Sequence, residues 1–378
     1  MRVNLRLIHA GNDTPVWARS FEQPLRSVFA LQRDVARAVA EELAVQLSPA
    51  PAQAQTVNAE AHDEYLRGRY FLHQDTAESV RRAIVLFEGA IRKDARLAQA
   101  YAGIGEAYLT LGPRFNAMAR AEAFQRARDA TTRALALDDR LADAHAVLAE
   151  ISFEGAWDWS GAEKEFNQAL SLNPSHEYAR ERYAMFLAAR GQTEAALAQI
   201  AEARRVDPLS SLIASSAGGI LRYARRYDEA IAQYNQVLER HPDFLSANVG
   251  LARTLNAAGR HDEAIARYRK VAARGVNEPF FLLEIAQADA AAGRADEARK
   301  ALDSLRQHSQ ARGTFVPPES YAYVYARLGD FDRAFEWLDE AFRSRSSTVL
   351  WLPVDPRVDP LRGDPRFSRY VNQLGLAH

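Results

Sequence analysis

Cysteine is absent from all 378 residues. No disulfide can staple this fold, no thiolate can act as nucleophile, and no cysteine-ligated metal can form. The redox compartment is left open by that absence. An excess of charge of one sign is also lacking: 48 lysines and arginines face 49 aspartates and glutamates, a formal net charge of −1. A nucleic-acid binder needs a basic excess or a basic stripe, so no nucleic-acid partner is expected. No stretch approaches the ~18 uncharged apolar residues of a spanning helix. Met1 to Leu7 alternates polar with apolar residues, without the unbroken apolar centre of a secretion signal. A water-soluble chain without direct membrane insertion is expected, cytoplasmic, or periplasmic if a membrane helix precedes this region.

Catalytic motifs are missing as well. There is no Walker-type phosphate loop and no GxGxxG; Gly218-Gly219 falls within a helical pattern and reads as a close helix contact. The nine histidines are scattered, with no HExxH pair and no carboxylate cluster at ligand spacing. His145 reads as a packed core side chain. Asp355-Pro356, Asp359-Pro360 and Asp364-Pro365 read as aspartate caps before a first-turn proline rather than as a metal loop. No enzyme activity, catalytic residue, cofactor or metal is predicted.

What is present is a period. Asp228-Glu229-Ala230-Ile231 becomes Asp262-Glu263-Ala264-Ile265 and then Asp296-Glu297-Ala298-Arg299, each shifted by 34 residues. Ala162, Ala196, Ala230, Ala264 and Ala298 keep that step, as do Pro174, Pro208 and Pro242. A fixed period of this length marks stacked helical hairpins that bury their apolar faces only against their neighbours. Paired acids that recur with the fold are helix-start residues, not a general acid and base. Asp228 and Asp262 are expected as N-caps of second helices, with Gly259 and Gly293 closing the first. The periodic alanines mark the close approach of two helices.

The sequence divides into four parts. Residues 1–47 carry two alternating segments, Val3-Leu5-Leu7 and Val16 to Phe21, around Gly11-Asn12-Asp13, then apolar residues at helical spacing from Val28 to Leu43. They predict a β-hairpin and a helix, the remnant of a truncated α/β domain. Residues 48–58 are a Pro/Ala/Gln-rich linker, and 59–345 hold about eight hairpins. The first is stretched between Phe71 and Ala83, the second between Gly112 and Ala127. Residues 346–378 form a C-terminal capping segment.

Tyr101, Ile104-Gly105 and Tyr108, and then Leu148-Ala149, Ala162, Phe166, Ala169 and Pro174, resemble the tetratricopeptide repeat. The resemblance implies an all-α fold, a right-handed α-solenoid. A narrower resemblance joins Arg2 to Leu7, Val16-Trp17-Ala18 and Phe29 to Ala40 to the end of a domain similar to the amino-terminal domain of TolB. Trp157-Asp158-Trp159, Asp355-Pro356-Arg357 and Asp364-Pro365-Arg366-Phe367 also look characteristic of chains in which that domain feeds such repeats. Those chains are adenylate-cyclase-like proteins, serine/threonine kinases and winged-helix regulators of bacteria. The resemblance implies a non-enzymatic protein-binding module in signal transduction or transcription, or else a fragment or regulatory subunit of a cyclase- or kinase-type enzyme whose catalytic domain lies elsewhere.

In tetratricopeptide arrays the first helices line a concave face that holds a polypeptide. Projected here, that face carries Tyr65, Arg69, Glu106, Glu150, Phe153, Tyr178, Glu181, Met185, Arg222, Arg253, Asn256, Gln287 and Tyr323. Its early part is expected to be acidic and its middle basic. The partner implied is a protein or peptide, with self-association through the hairpin at residues 2–21 as a further possibility. Trp157 and Trp159 read as filling a lengthened turn, with a partner anchor as the alternative.

Overall fold

The computed structural model describes residues 2–9, 14–22, 58–74, 76–115, 117–273, 278–312 and 316–376, together with positions 35 and 38. The helix expected across Val28 to Leu43 and most of the linker lie outside the described residues. At the amino terminus β1 (Arg2–His9) and β2 (Thr14–Glu22) pair antiparallel, with Leu5 opposite Arg19 and Leu7 opposite Trp17. The register slips between Leu7 and Ile8.

Eight helical hairpins follow among the described residues. They are α1 (Ala59–Leu72) with α2 (Ala77–Lys93), α3 (Ala98–Leu109) with α4 (Arg120–Leu137), and α5 (Ala142–Glu150) with α6 (Trp159–Leu172). Then come α7 (Glu177–Ala189) with α8 (Thr193–Val206), α9 (Ser211–Tyr223) with α10 (Tyr227–Arg240), and α11 (Leu245–Ala257) with α12 (His261–Ala272). The last are α13 (Glu278–Ala291) with α14 (Ala295–Arg312) and α15 (Pro318–Arg327) with α16 (Phe331–Arg343). The solenoid expected from the period is therefore the fold. Two 3-10 segments, Ser347–Trp351 and Pro356–Leu361, and the short α17 (Phe367–Gln373) end the chain.

The period has a packing cause. Ala83, Ala127, Ala162, Ala196, Ala230, Ala264, Ala298 and Ala334 are all 0% exposed, because only a methyl group fits where the two helices of a hairpin meet. Four residues on, Phe87, Phe166, Ile200, Tyr234, Tyr268, Leu302 and Leu338 fill the space between hairpins, and each is buried. Tyr234 lies between two first helices, where glycine is required. A Cβ on Gly218 would stand 2.7 Å from its ring, and one on Gly250 would stand 2.4 Å away. Gly250→Ala gains up to ~1 kcal/mol of helix propensity, yet the ring cannot retreat because Gly218 bounds its other side. Net destabilisation of about 1–2 kcal/mol is expected from overpacking. Urea unfolding against Gly363→Ala, where an added Cβ meets nothing within 4 Å, checks it.

The turns repeat too. In the sixth hairpin the Gly259 N–H donates to the Asn256 carbonyl and the Arg260 N–H to that of Leu255, the paired bonds of a Schellman close. Gly259 has φ +82°, a backbone that is cheap only without a Cβ. This close places the starts of α10 and α12 at Tyr227 and His261, so Asp228 and Asp262 sit inside the first turn rather than at the cap. Arg226 and Arg260 hold the N-cap positions and reach forward to Glu229 and Glu263 with bidentate ion pairs. Between hairpins, Asp94, Asp138, Asn173 and Asp207 each accept the N–H two residues ahead, fixing the turn in front of the next first helix. In the second and third hairpins the first helix runs on into wider π-helical turns at Thr110–Arg114 and Ile151–Ala156. The first of these runs into the insertion expected between Gly112 and Ala127.

Candidate functional site in the inner face

The first helices α1, α3, α5, α7, α9, α11, α13 and α15 share an inner face, and the thirteen residues projected onto it fall into three groups. In the first, Arg69 donates to Glu106 at 2.7 Å and lies 3.9 Å from both Asp143 and Glu177. Tyr65 packs on the Phe87 ring, and burial pushes its hydroxyl up to about 12.

The second group is Glu150, Phe153, Tyr178, Glu181 and Met185. Glu181 is 1% exposed; it accepts from Ser216 and pairs with Arg182 at 2.5 Å. Tyr178 donates its hydroxyl to Glu150, which lies 3.9 Å from Arg182. Phe153 contacts Trp159, Phe186 and Trp351, and Met185 packs against the same cluster. The acids of this early face are thus not left as an open acidic strip, because Arg69 and Arg182 stand beside them.

The third group is Arg222, Arg253, Asn256 and Gln287, which line one small cavity with Arg327, Pro356 and Arg357. Arg253 pairs with Glu284 at 2.5 Å, and Asn256 accepts from the His261 ring at 2.7 Å. Tyr323 lies beneath the Arg357 guanidinium, 4.2 Å from ring centre to Cζ, and burial raises its hydroxyl well above the ordinary value.

Pro356 and Arg357 belong to the C-terminal segment, which does more than cap the array. It enters the inner face. Trp351 stacks on Tyr223 with ring centres 4.6 Å apart. Arg120 donates to Ser347 at 2.7 Å, and Arg225 to Asp359 at 2.7 Å. Arg327 donates to the Pro356 carbonyl at 3.1 Å. Asp355 caps its 3-10 segment through the Arg357 N–H and pairs with the Arg357 guanidinium at 2.7 Å. The face is consequently covered rather than open. Six of the thirteen projected residues are under 6% exposed: Glu150, Phe153, Glu181, Arg222, Gln287 and Tyr323.

Among the described residues three that are not glycine adopt the left-handed backbone, and each serves this docking. Arg225, at φ 64°, stands where the neighbouring hairpins have Gly191 and Gly259, and it is the residue that reaches Asp359. Arg345, at φ 51°, lies over the Trp157 ring and donates to the Ala156 carbonyl. Trp157, at φ 60°, meets Phe342 edge-on. Trp159 donates its indole N–H to the Leu374 carbonyl at 2.6 Å. The two tryptophans thus clamp the chain's own last hairpin and tail. Such strain persists only where surrounding contacts hold it.

Arg182, Glu284, Arg327, Asp355 and Arg357 escaped the projection. Glu284 could have been found, since it sits on a first helix between residues assigned to the same face. Asp355 and Arg357 carry no periodic signal. His145 is no core side chain either: its ring is bonded to Glu165 at 2.6 Å and to the Asp139 carbonyl at 3.0 Å. Among the described residues no group of three or more histidines, aspartates and glutamates is placed to hold a metal, and no helix is long and apolar enough to cross a membrane.

Residues 221–280 match the tetratricopeptide repeat family. That stretch runs from the end of α9 through the hairpin of α11 and α12, the part where the period is strictest. No curated protein matches the chain. Among solved structures, a monomeric mutant of human IFIT1 with Gppp-AAAA is 18% identical, with 83% of this chain and 78% of that one covered, at a TM-score of 0.50. PilW, a type IV pilus biogenesis factor, is 22% identical over 62% of this chain and 97% of its own, at 0.46. A tetratricopeptide repeat protein of Thermus thermophilus is 20% identical over 52% and 98%, at 0.42. At these identities the likeness concerns the fold alone.

Proposed function

We propose that the chain is a non-enzymatic scaffold that binds a partner polypeptide along its inner face, in bacterial signal transduction or transcriptional regulation. One observation carries this reading: the face already holds a polypeptide, the chain's own segment from Ser346 to Leu361, by aromatic stacking and guanidinium pairs. A partner with similar chemistry, an aromatic residue followed by an acidic turn, would compete for the same places. Residues 1–47 then correspond to the end of a TolB-like domain and 48–58 to its linker, and the outer edges of β1 and β2 would pair with a second copy. The resemblance of that hairpin also supports the second reading, a regulatory subunit of a cyclase- or kinase-type enzyme.

A labelled synthetic peptide of residues 346–366 tests the binding role. The tethered segment masks the face, so the apparent affinity falls by the fraction of molecules in which the face is open. Full-length Trp351→Ala, Asp359→Ala should bind the peptide at least about tenfold more tightly than the native chain in fluorescence anisotropy. Absence of saturable binding to either protein would end the proposal.

A further inference from the structure

Four guanidinium groups, those of Arg222, Arg253, Arg327 and Arg357, line a single cavity at the middle of the inner face with the side-chain amides of Asn256 and Gln287. Two buried carboxylates oppose them: Glu284, held by Arg253 and by the Tyr268 hydroxyl, and Asp355, held by Arg357. At the mouth Asp359 is already committed to Arg225 and Arg362. Among the four guanidinium groups and two buried carboxylates positive charge exceeds negative by two, with Arg222 and Arg357 buried and Arg253 and Arg327 half-buried.

The donors are also more than the acceptors can use. Arg222 is 5% exposed and Gln287 is 3% exposed, yet Arg222 Nε and Gln287 Nε2 have no hydrogen-bond partner among the described residues. Arg327 Nε is in the same state. The nearest carboxylate oxygen to Arg222 lies at 4.0 Å, beyond hydrogen-bond reach. Buried donors without partners are rare, and each costs free energy unless something accepts from it.

We infer that this cavity is an oxyanion site that takes a phosphate-class dianion, on Arg222, Arg327, Gln287, Arg253 and Arg357. Guanidinium forks match the oxygens of a phosphoryl group, and two negative charges match the local excess. The space now enclosed has room for only about one water molecule, so a single phosphoryl group enters only if the guanidinium arms spread to admit it, and a nucleotide is excluded. Burial lowers the basicity of Arg327, with the nearby Arg225 adding to it, while Asp359, Tyr227 and Asp355 oppose that shift only in part. His261, beside Asn256, is likewise pushed below its ordinary value by burial and by the charges of Arg327 and Arg294.

Because Pro356 and Arg357 come from the C-terminal segment, a bound anion ties that segment to α9, α11, α13 and α15. The site is complete only when the segment is docked. The inference does not require any outside polypeptide to bind, so it stands or falls apart from the proposed scaffold role.

Calorimetric titration of the full chain with sodium orthophosphate, against chloride at matched ionic strength, tests it. One saturable site per chain is expected. Gln287→Leu, which removes one orphan donor at nearly constant volume, and Arg327→Gln should each weaken it at least about tenfold, with circular dichroism unchanged; if one variant fails to fold, the other decides. Saturation should also slow trypsin cleavage within residues 346–366. O-phosphoserine in place of orthophosphate separates the sources: tighter binding assigns the site to a phosphoryl group carried on a polypeptide, and weaker binding to the free ion. No saturable heat beyond matched chloride, or native affinity in both variants, would overturn the assignment.

Discussion

Asp355→Ala is expected to destabilise the chain by about 3–5 kcal/mol and to free residues 346–378 for proteolysis. Asp355 is 0% exposed and accepts from the Arg357 N–H at 2.9 Å and from both the Nε and the Nη2 of its guanidinium. Arg222 stands 4.0 Å away. Truncation leaves two guanidinium groups buried with only Glu284 nearby, and Glu284 is already engaged by Arg253 and Tyr268. Burial by itself would raise the Asp355 carboxyl; the charge and hydrogen bonds of Arg357, helped by Arg222, outweigh it and hold the group well below the ordinary carboxylate range. A depressed folded value means that the stabilisation is complete above the unfolded value near pH 4 and is lost only as the pH falls below that range. Urea unfolding at pH 7 and trypsin digestion of native and variant chains check both parts. Asp355→Asn should recover some of the loss, since it keeps one acceptor for the Arg357 N–H. If alanine left the midpoint and the digestion pattern unchanged, the segment would not be anchored by this residue.

The reach of the sequence is set by how locally each feature is encoded. The step of 34 residues and the alanines that carry it are repeated decisions about helix contact, so the hairpins from α1 to α16 follow from the residues themselves. Turn chemistry was legible at Gly259, where the backbone demands glycine, and less so at Asp228 and Asp262, where acid-rich first turns imitate caps. The docked tail was not legible. Ser347 meets Arg120, Asp359 meets Arg225 and Leu374 meets Trp159 across separations of 134 residues or more, and no period records such pairs. Arg222 and Arg253 therefore read as solvated groove charges, although their partners lie at Asp355 and Glu284. Arg225 gave one overlooked signal: an arginine in the glycine place of its repeat, kept in a costly backbone by the contact it makes.

Glu150 should make stability fall with pH over the range where most carboxylates add to it. Burial is the main cause, and the like charge of Glu154 reinforces it against Arg182 and the Tyr178 hydroxyl, so that the carboxyl is pushed up to about 7 from its ordinary value of 4.5. An acid whose folded value is raised stays protonated in the native chain while the unfolded chain ionises. Its contribution is most favourable below about pH 4.5, declines as the pH rises to about 7, and is flat beyond. That span corresponds to on the order of 3 kcal/mol for this one group. Glu150→Gln retains an acceptor for Tyr178 and carries no charge to desolvate. Native and variant chains should therefore be nearly equal in urea at pH 4.5, with the variant more stable by on the order of 3 kcal/mol at pH 8. Equal midpoints at pH 8 would mean that Arg182, rather than burial, controls the group. Glu154 shares the same buried setting, is raised for the same first reason, and is hydrogen-bonded to Ser347 of the docked segment. The acid pair thus lies where α5 turns toward the chain's own tail, and a proton there bears on how firmly that tail is held.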